Sequence, residues 1–132
     1  MDPNIWGRHA WFFFHSITFA YPNCPTKKDK ENIRNFFTNL YNVLPCPKCK
    51  VNYKSHLSKI PLTDDILSSK EKLIKWLIEV HNSVNKMKGK KELTYDEVMS
   101  YYNSQYSGGY NIKKILVINI TVFLIIVLIS MF

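Results

Sequence analysis

Six apolar side chains, Ile33, Phe36, Phe37, Leu40, Tyr41 and Leu44, recur at i, i+3, i+4, i+7, i+8 and i+11, the period of one face of an α-helix. The stripe runs directly into Pro45-Cys46-Pro47-Lys48-Cys49. A pair of cysteines at this spacing most often belongs to a thioredoxin-like module, where strands precede the motif. Here an amphipathic helix precedes it, so the chain requires another scaffold.

The flanking segments read as helices too. Asp2 as N-cap and Pro3 at the first helical position start a helix that continues through an aromatic-rich pattern to about Ala20, where Tyr21-Pro22 and Pro25 end it. Thr26 with Asp29 caps the striped second helix. Pro45 opens a third, roughly Cys46 to Leu57, closed at Ile60-Pro61. Ser68 with Glu71 has capping-box spacing for a fourth, whose stripe of Leu73, Trp76, Leu77, Val80, His81 and Val84 places His81 on the buried face. Thr94 and Glu97 announce a short fifth helix from Tyr95 to about Tyr106. No strand, repeat or low-complexity tract is evident. The expected fold is all-α: a four-helix bundle with a short fifth helix, followed by a C-terminal transmembrane helix. The interior of such a bundle is a natural cofactor site.

The last element rests on Ile115 to Phe132, 18 residues without a charge. As a helix they span about 27 Å, close to a hydrocarbon core of about 30 Å. Lys113 and Lys114 immediately precede the run and favour a cytosolic N-terminal domain. The expected organisation is a domain over 1–106, a linker over 107–114 and a membrane tail anchor over 115–132, making a single-pass membrane protein. The apolar AWFFFHSITFAY near the start lacks a cleavage site and is too aromatic for a signal peptide. With 18 basic against 10 acidic residues the net charge is +8, which suits nucleic acid, an anionic membrane surface or a phosphate-bearing cofactor. The lysines are scattered and the aromatics fall on inward stripes, so nucleic acid is not the expected partner.

Cys46 and Cys49 sit at i and i+3 at a helix start, where Cα atoms about 5–6 Å apart can close a disulfide. Unpaired backbone amides there, with Lys48 and Lys50, favour a thiolate, the attacking species in disulfide exchange. Zinc needs about four ligands, and Cys24, His9, His15, His56 and His81 make no convincing second pair. Two inert core thiols are the blander alternative. A redox dithiol needs an electron acceptor, and no other close cysteine pair exists. Trp11 and His15 on helix one, with Trp76, His81 and Asn85 on helix four, suggest a bound aromatic ring system. Arg8 and the lysines after Asn85 are available for a pyrophosphate.

The run GRHAWFFFHSITFAYP, from Gly7 to Pro22, resembles the opening Gly-Arg-x-x-Trp-x-x-x-His motif and later Tyr-Pro of the Erv/ALR family of flavin-linked sulfhydryl oxidases. The Pro-Cys-x-x-Cys follows at fitting distance, and KWLIEVHNSVNKMKGK, Lys75 to Lys90, is similar to the family's third block. The resemblance implies a bundle, usually a homodimer, holding FAD with the dithiol against the flavin ring. It places Gly7, Arg8, Trp11 and His15 at the cofactor from helix one, and His81, Asn82, Val84 and Asn85 from helix four. Lys86 and Lys90 match basic positions near the phosphates, and Tyr102 stands where a tryptophan near the adenine is common. Cys46 becomes the interchange thiol and Cys49 the one facing the flavin.

The implied activity is oxidation of thiols in a substrate or relay protein to disulfides, with O2 reduced to H2O2. Two features depart from the cellular pattern. Tyr95 and Asn111 replace a structural disulfide, and only Cys24 remains where members carry a shuttle pair, so Cys24 is expected to be a free loop thiol. The short length and the missing disulfides resemble the oxidases of large cytoplasmic DNA viruses, which implies a host or virion membrane and a part in virion disulfide formation. The alternative is a catalytically inactive tail-anchored bundle serving binding or assembly.

Overall fold

The structure, a computed structural model, describes residues 1–107. Its elements are α1 (Pro3–Ala20), α2 (Lys27–Val43), α3 (Pro47–Lys59), a 3-10 turn (Ile66–Ser68), α4 (Lys70–Met87) and α5 (Tyr95–Ser107). The chain divides into two units, 1–95 and 96–132, and α5 belongs almost wholly to the second. On α5, Val98 and Tyr102 are buried. Among the described residues no helix is long and apolar enough to cross a membrane. The expected transmembrane run over 115–132 lies outside the described residues.

Local chemistry sets the ends of these helices. Asp2 accepts from the Asn4 amide with Pro3 in the first turn, and the Thr26–Asp29 capping box is complete in both directions. Each satisfies amides that a helix start leaves without partners. The cap of α4 lies one residue later than the sequence reading places it. Ser68 closes the 3-10 turn and donates to Asp65 O at 2.6 Å, whereas the extended Ser69 accepts from the Lys72 amide. Two adjacent serines compete for one cap, and the turn claims the first.

The core of the first unit is where the stripes meet. Phe37, Leu67, Leu73, Leu77 and Val80 are almost fully buried, joined by Leu40, Leu44, Tyr53 and Trp76. Burying each such aliphatic side chain contributes roughly 1.5–3 kcal/mol. Edge-to-face rings link α1, α2 and α4: Phe14 to Phe37 at 6.4 Å between centroids, Phe36 to Phe37 at 5.0 Å and Phe37 to Trp76 at 5.2 Å. Three buried polar groups find carbonyls. Tyr21 donates to Leu67 O, Tyr53 to Phe37 O and Trp76 Nε1 to Ile60 O, at 3.0–3.1 Å. Tyr21 thereby ties the end of α1 to the 3-10 turn, Tyr53 ties α3 to α2, and Trp76 ties α4 to the end of α3.

Candidate functional site

Cys46 is the N-cap of α3: its backbone is extended and its sulfur accepts from the Cys49 amide at 3.2 Å. Pro47 fixes the first turn, and the two cysteines, with Cα atoms 5.1 Å apart, form a disulfide. Cys24 is free and exposed, as expected. Among the described residues no cluster of side chains could hold a metal ion.

The disulfide forms part of the wall of a cleft of about 600 Å³ between α1, the end of α2, α3 and the end of α4. That is within the roughly 300–1,000 Å³ of small-molecule sites. The walls are mostly apolar, with Trp6, Trp11 and Phe14 from α1 and Val84 and Met87 from α4, while Lys48, Lys88 and Lys90 supply positive charge. Gly89 puts Lys88 and Lys90 there. Its φ of 64° ends α4 in a left-handed turn, with Gly89 N bonded to Lys86 O and Lys90 N to Asn85 O.

Gly7 also lines the cleft, and a Cβ built on it meets no atom within 4 Å. A glycine inside a helix costs about 1 kcal/mol relative to alanine. No positive φ and no protein neighbour requires it here. An open, side-chain-free strip of α1 beside a flat aromatic wall is what a planar ring system lying against the helix needs.

Behind the wall stands a stacked pair. The Trp11 ring lies on the His81 imidazole, with centroids 3.9 Å apart and planes 7° from parallel. His81 Nδ1 and His15 Nε2 are 3.2 Å apart and share a hydrogen bond, one ring donating. Burial holds His15 down to about 3, with His81 adding to the effect, and holds His81 down to about 4, helped by the Lys90 charge. Both rings are therefore neutral at pH 7, one donating its N–H and the other accepting at an unprotonated nitrogen.

Of the residues expected at the cofactor, the cleft brings together Gly7, Trp11, Cys46, Cys49, Val84 and Lys90. His81 and His15 stand behind Trp11 rather than in the lining. Asn82 is a clamp: it donates to Leu93 O and accepts from Leu93 N, both at 2.8 Å, holding the loop after α4. Asn82 and Lys86 border a separate, shallower concavity with Lys75, Glu79 and Glu92. Asn85 is buried, Arg8 is exposed and outside the cleft lining, and Tyr102 lies on α5 in the second unit. Cys46 is 9% exposed and Cys49 is only half-buried, so exposure does not mark Cys46 as the outward thiol.

Trp6, Ala10, Phe14, Asn52, Tyr53 and Met87 line the cleft without having been singled out. The signal was present in part: Trp6, Ala10 and Phe14 recur at i, i+4 and i+8 along one face of α1.

Comparison with known proteins matches the Erv1 / Alr family over residues 8–105. The chain belongs to that family. A probable FAD-linked sulfhydryl oxidase of Acanthamoeba polyphaga mimivirus is 50% identical over 99 residues, 75% of this chain and 69% of that protein. The FAD-linked sulfhydryl oxidase ERV1 of Arabidopsis thaliana is 34% identical over 84 residues, which cover 64% of this chain and 42% of that protein. Among solved structures, the FAD binding domain of Erv1 from Saccharomyces cerevisiae superposes with a TM-score of 0.69 at 25% identity, covering 84% of this chain and 99% of that one. The five helices of this Erv1/Alr chain thus have the family's fold.

Proposed function

We propose that the chain is an FAD-dependent sulfhydryl oxidase that makes disulfides in protein substrates through Cys46 and Cys49. The observation that carries this reading is the disulfide in the wall of an apolar, lysine-rimmed cleft. Gly7, Trp6, Trp11, Phe14, Val84 and Met87 would hold the flavin ring, and Lys88 and Lys90 its phosphates. Trp11 is kept flat by His81, and His81 by His15, so these two histidines act as positioning residues.

The thiol chemistry belongs to the chain. A substrate thiolate attacks one sulfur of the Cys46–Cys49 disulfide, forming a mixed disulfide and releasing the other cysteine as a thiolate. A second substrate thiolate attacks the substrate sulfur of the mixed disulfide, releasing the oxidised substrate and leaving the pair as a dithiol. Two electrons and two protons have then passed from substrate to enzyme. The α3 amides and Lys48 stabilise the released thiolate; the Cys49 amide already donates to Cys46 Sγ. FAD, when bound, supplies the acceptor that returns the dithiol to the disulfide and passes the electrons to O2, giving H2O2.

The same reading extends to location. The uncharged run over 115–132 after Lys113 and Lys114 anchors the oxidase unit on the cytosolic side of a membrane. Its relatives include viral FAD-linked sulfhydryl oxidases, and the substrate in this reading is a thiol protein of virion assembly.

Oxygen uptake by the purified full chain with dithiothreitol, beside the Cys49→Ser variant, tests the proposal. The wild type should be yellow and consume oxygen, and the variant should stay yellow with turnover reduced at least ~100-fold, since one thiol cannot close the cycle. A colourless, folded wild type, or a variant with full turnover, would defeat it and leave a binding or assembly role.

A further inference from the structure

The helix that carries the dithiol is charged against its own electrostatics. No Asp or Glu occurs between Glu31 and Asp64, while Arg34, Lys48, Lys50, Lys54 and Lys59 all fall in that stretch. Lys48 and Lys50 stand in the first turns of α3, which hold no acidic residue, at the end where the helix dipole disfavours cations. Arg34 pairs with Asp64, and outside the stretch Lys28 pairs with Glu31, Lys72 with Asp65 and Lys75 with Glu71. Among the described residues, no carboxylate pairs with Lys48, Lys50, Lys54 or Lys59.

Two of these charges are held in place. Lys50 Nζ donates to Asn42 O at 2.9 Å, and Lys54 Nζ sits 5.6 Å from the centre of the Tyr41 ring. Two exposed valines bracket the motif in sequence, Val43 at 73% and Val51 at 70% exposure. Stabilising a thiolate accounts for Lys48 and Lys50, and the cleft uses Lys48. Neither accounts for Lys54 or for the valines.

We propose that this surface docks an acidic, cysteine-bearing polypeptide segment. Its carboxylates meet Lys48, Lys50 and Lys54 and its apolar side chains meet Val43 and Val51, so that its thiol reaches the Cys46–Cys49 disulfide. The proposal rests on the oxidase reading and names the class of its protein substrate. Unpaired like charges around a reaction centre raise the encounter rate of an oppositely charged partner and discriminate against like-charged ones. A nucleic acid shares the negative charge but brings no thiol and has no use for exposed valines.

The test uses the full chain in nonionic detergent and follows oxygen uptake with dithiothreitol and with two dicysteine peptides that differ only in flanks of four Asp or four Lys. The Asp peptide should have a kcat/KM at least about tenfold above the Lys peptide at low ionic strength, the gap closing as salt is raised. Lys54→Glu should shrink the gap and Lys54→Arg should preserve it. Equal kcat/KM for the two peptides, or a preference that salt leaves unchanged, overturns the proposal, and the salt titration needs no variant. Competition by an oligonucleotide as strong as that by a cysteine-free Asp peptide of equal charge also overturns it, in favour of a general anion surface. Absent dithiothreitol turnover sinks the oxidase reading and the docking with it, whereas dithiothreitol turnover without charge discrimination sinks the docking alone.

Discussion

Acidification from pH 7.5 to 5 should destabilise the domain through the histidines behind the cleft wall. His15 stays neutral down to about 3 and His81 down to about 4, against 6.5 for an ordinary histidine. An unfolded chain therefore takes up a proton on each ring as the pH falls through 6.5, while the folded chain does not until the lower values. Between those limits the unfolded state binds more protons, so stability falls with falling pH, and above pH 7.5 the pair contributes no pH dependence. At pH 5 the linkage amounts to about 2 kcal/mol for each ring, or roughly 4 kcal/mol for the two taken as independent. His56, also lowered by burial and by Lys59, adds in the same direction. Urea unfolding followed by circular dichroism at constant ionic strength, at pH 7.5, 6 and 5, measures the loss. In His81→Phe, which keeps a ring against Trp11, the drop should be about halved because one of the two titrating rings is gone. An unfolding free energy that is flat or rises toward pH 5 would refute the neutral, hydrogen-bonded pair.

Three substitutions probe other parts of the account. Gly7→Ala should stabilise the flavin-free domain by up to ~1 kcal/mol through helix propensity yet weaken flavin retention, because the methyl enters the strip the ring would lie on. Thermal melts and the flavin-to-protein absorbance ratio read the two effects separately, and unchanged retention would remove α1 from the ring contact. Asn82→Ala breaks both bonds to Leu93 and should cost about 1–3 kcal/mol locally, seen as faster amide exchange and proteolysis across 88–93. Leu77→Ala, at a fully buried position, should cost about 2–5 kcal/mol in global unfolding; a loss under about 1 kcal/mol would misplace the core.

The bundle was legible because helices with one buried stripe announce themselves by period. Ile33 to Leu44 and Leu73 to Val80 are stripes, and the caps of α1 at Asp2 and α2 at Thr26 are local chemistry. The α4 cap was misplaced by one residue because spacing cannot say which of two serines a preceding turn will claim. Cys46 and Cys49 were legible in their spacing at a helix start, Trp11 and Lys90 as inward aromatic and basic groups, and Gly7 and Val84 through motif resemblance; the structure brings all six to one cleft. Asn82 belongs to the same motif, but its side chain is spent on Leu93. That clamp depends on the chain turning at Gly89 to bring Leu93 back to α4, a tertiary fact that residue order does not carry. Trp6 and Phe14 line the cleft as ordinary members of an aromatic-rich helix, where nothing in spacing separates core from site.

The central claim is that the Cys46–Cys49 pair hands its electrons to a flavin held in the adjoining cleft. Anaerobic titration of the purified full chain with dithiothreitol, followed in the visible flavin band, tests it most directly. The account predicts that the band bleaches fully in the wild type, with two electrons per flavin beyond those that reduce the disulfide, and that bleaching is lost in Cys49→Ser despite retained colour. A wild type that carries flavin but keeps its band when the disulfide is reduced, or a variant that bleaches at the same rate, would contradict it.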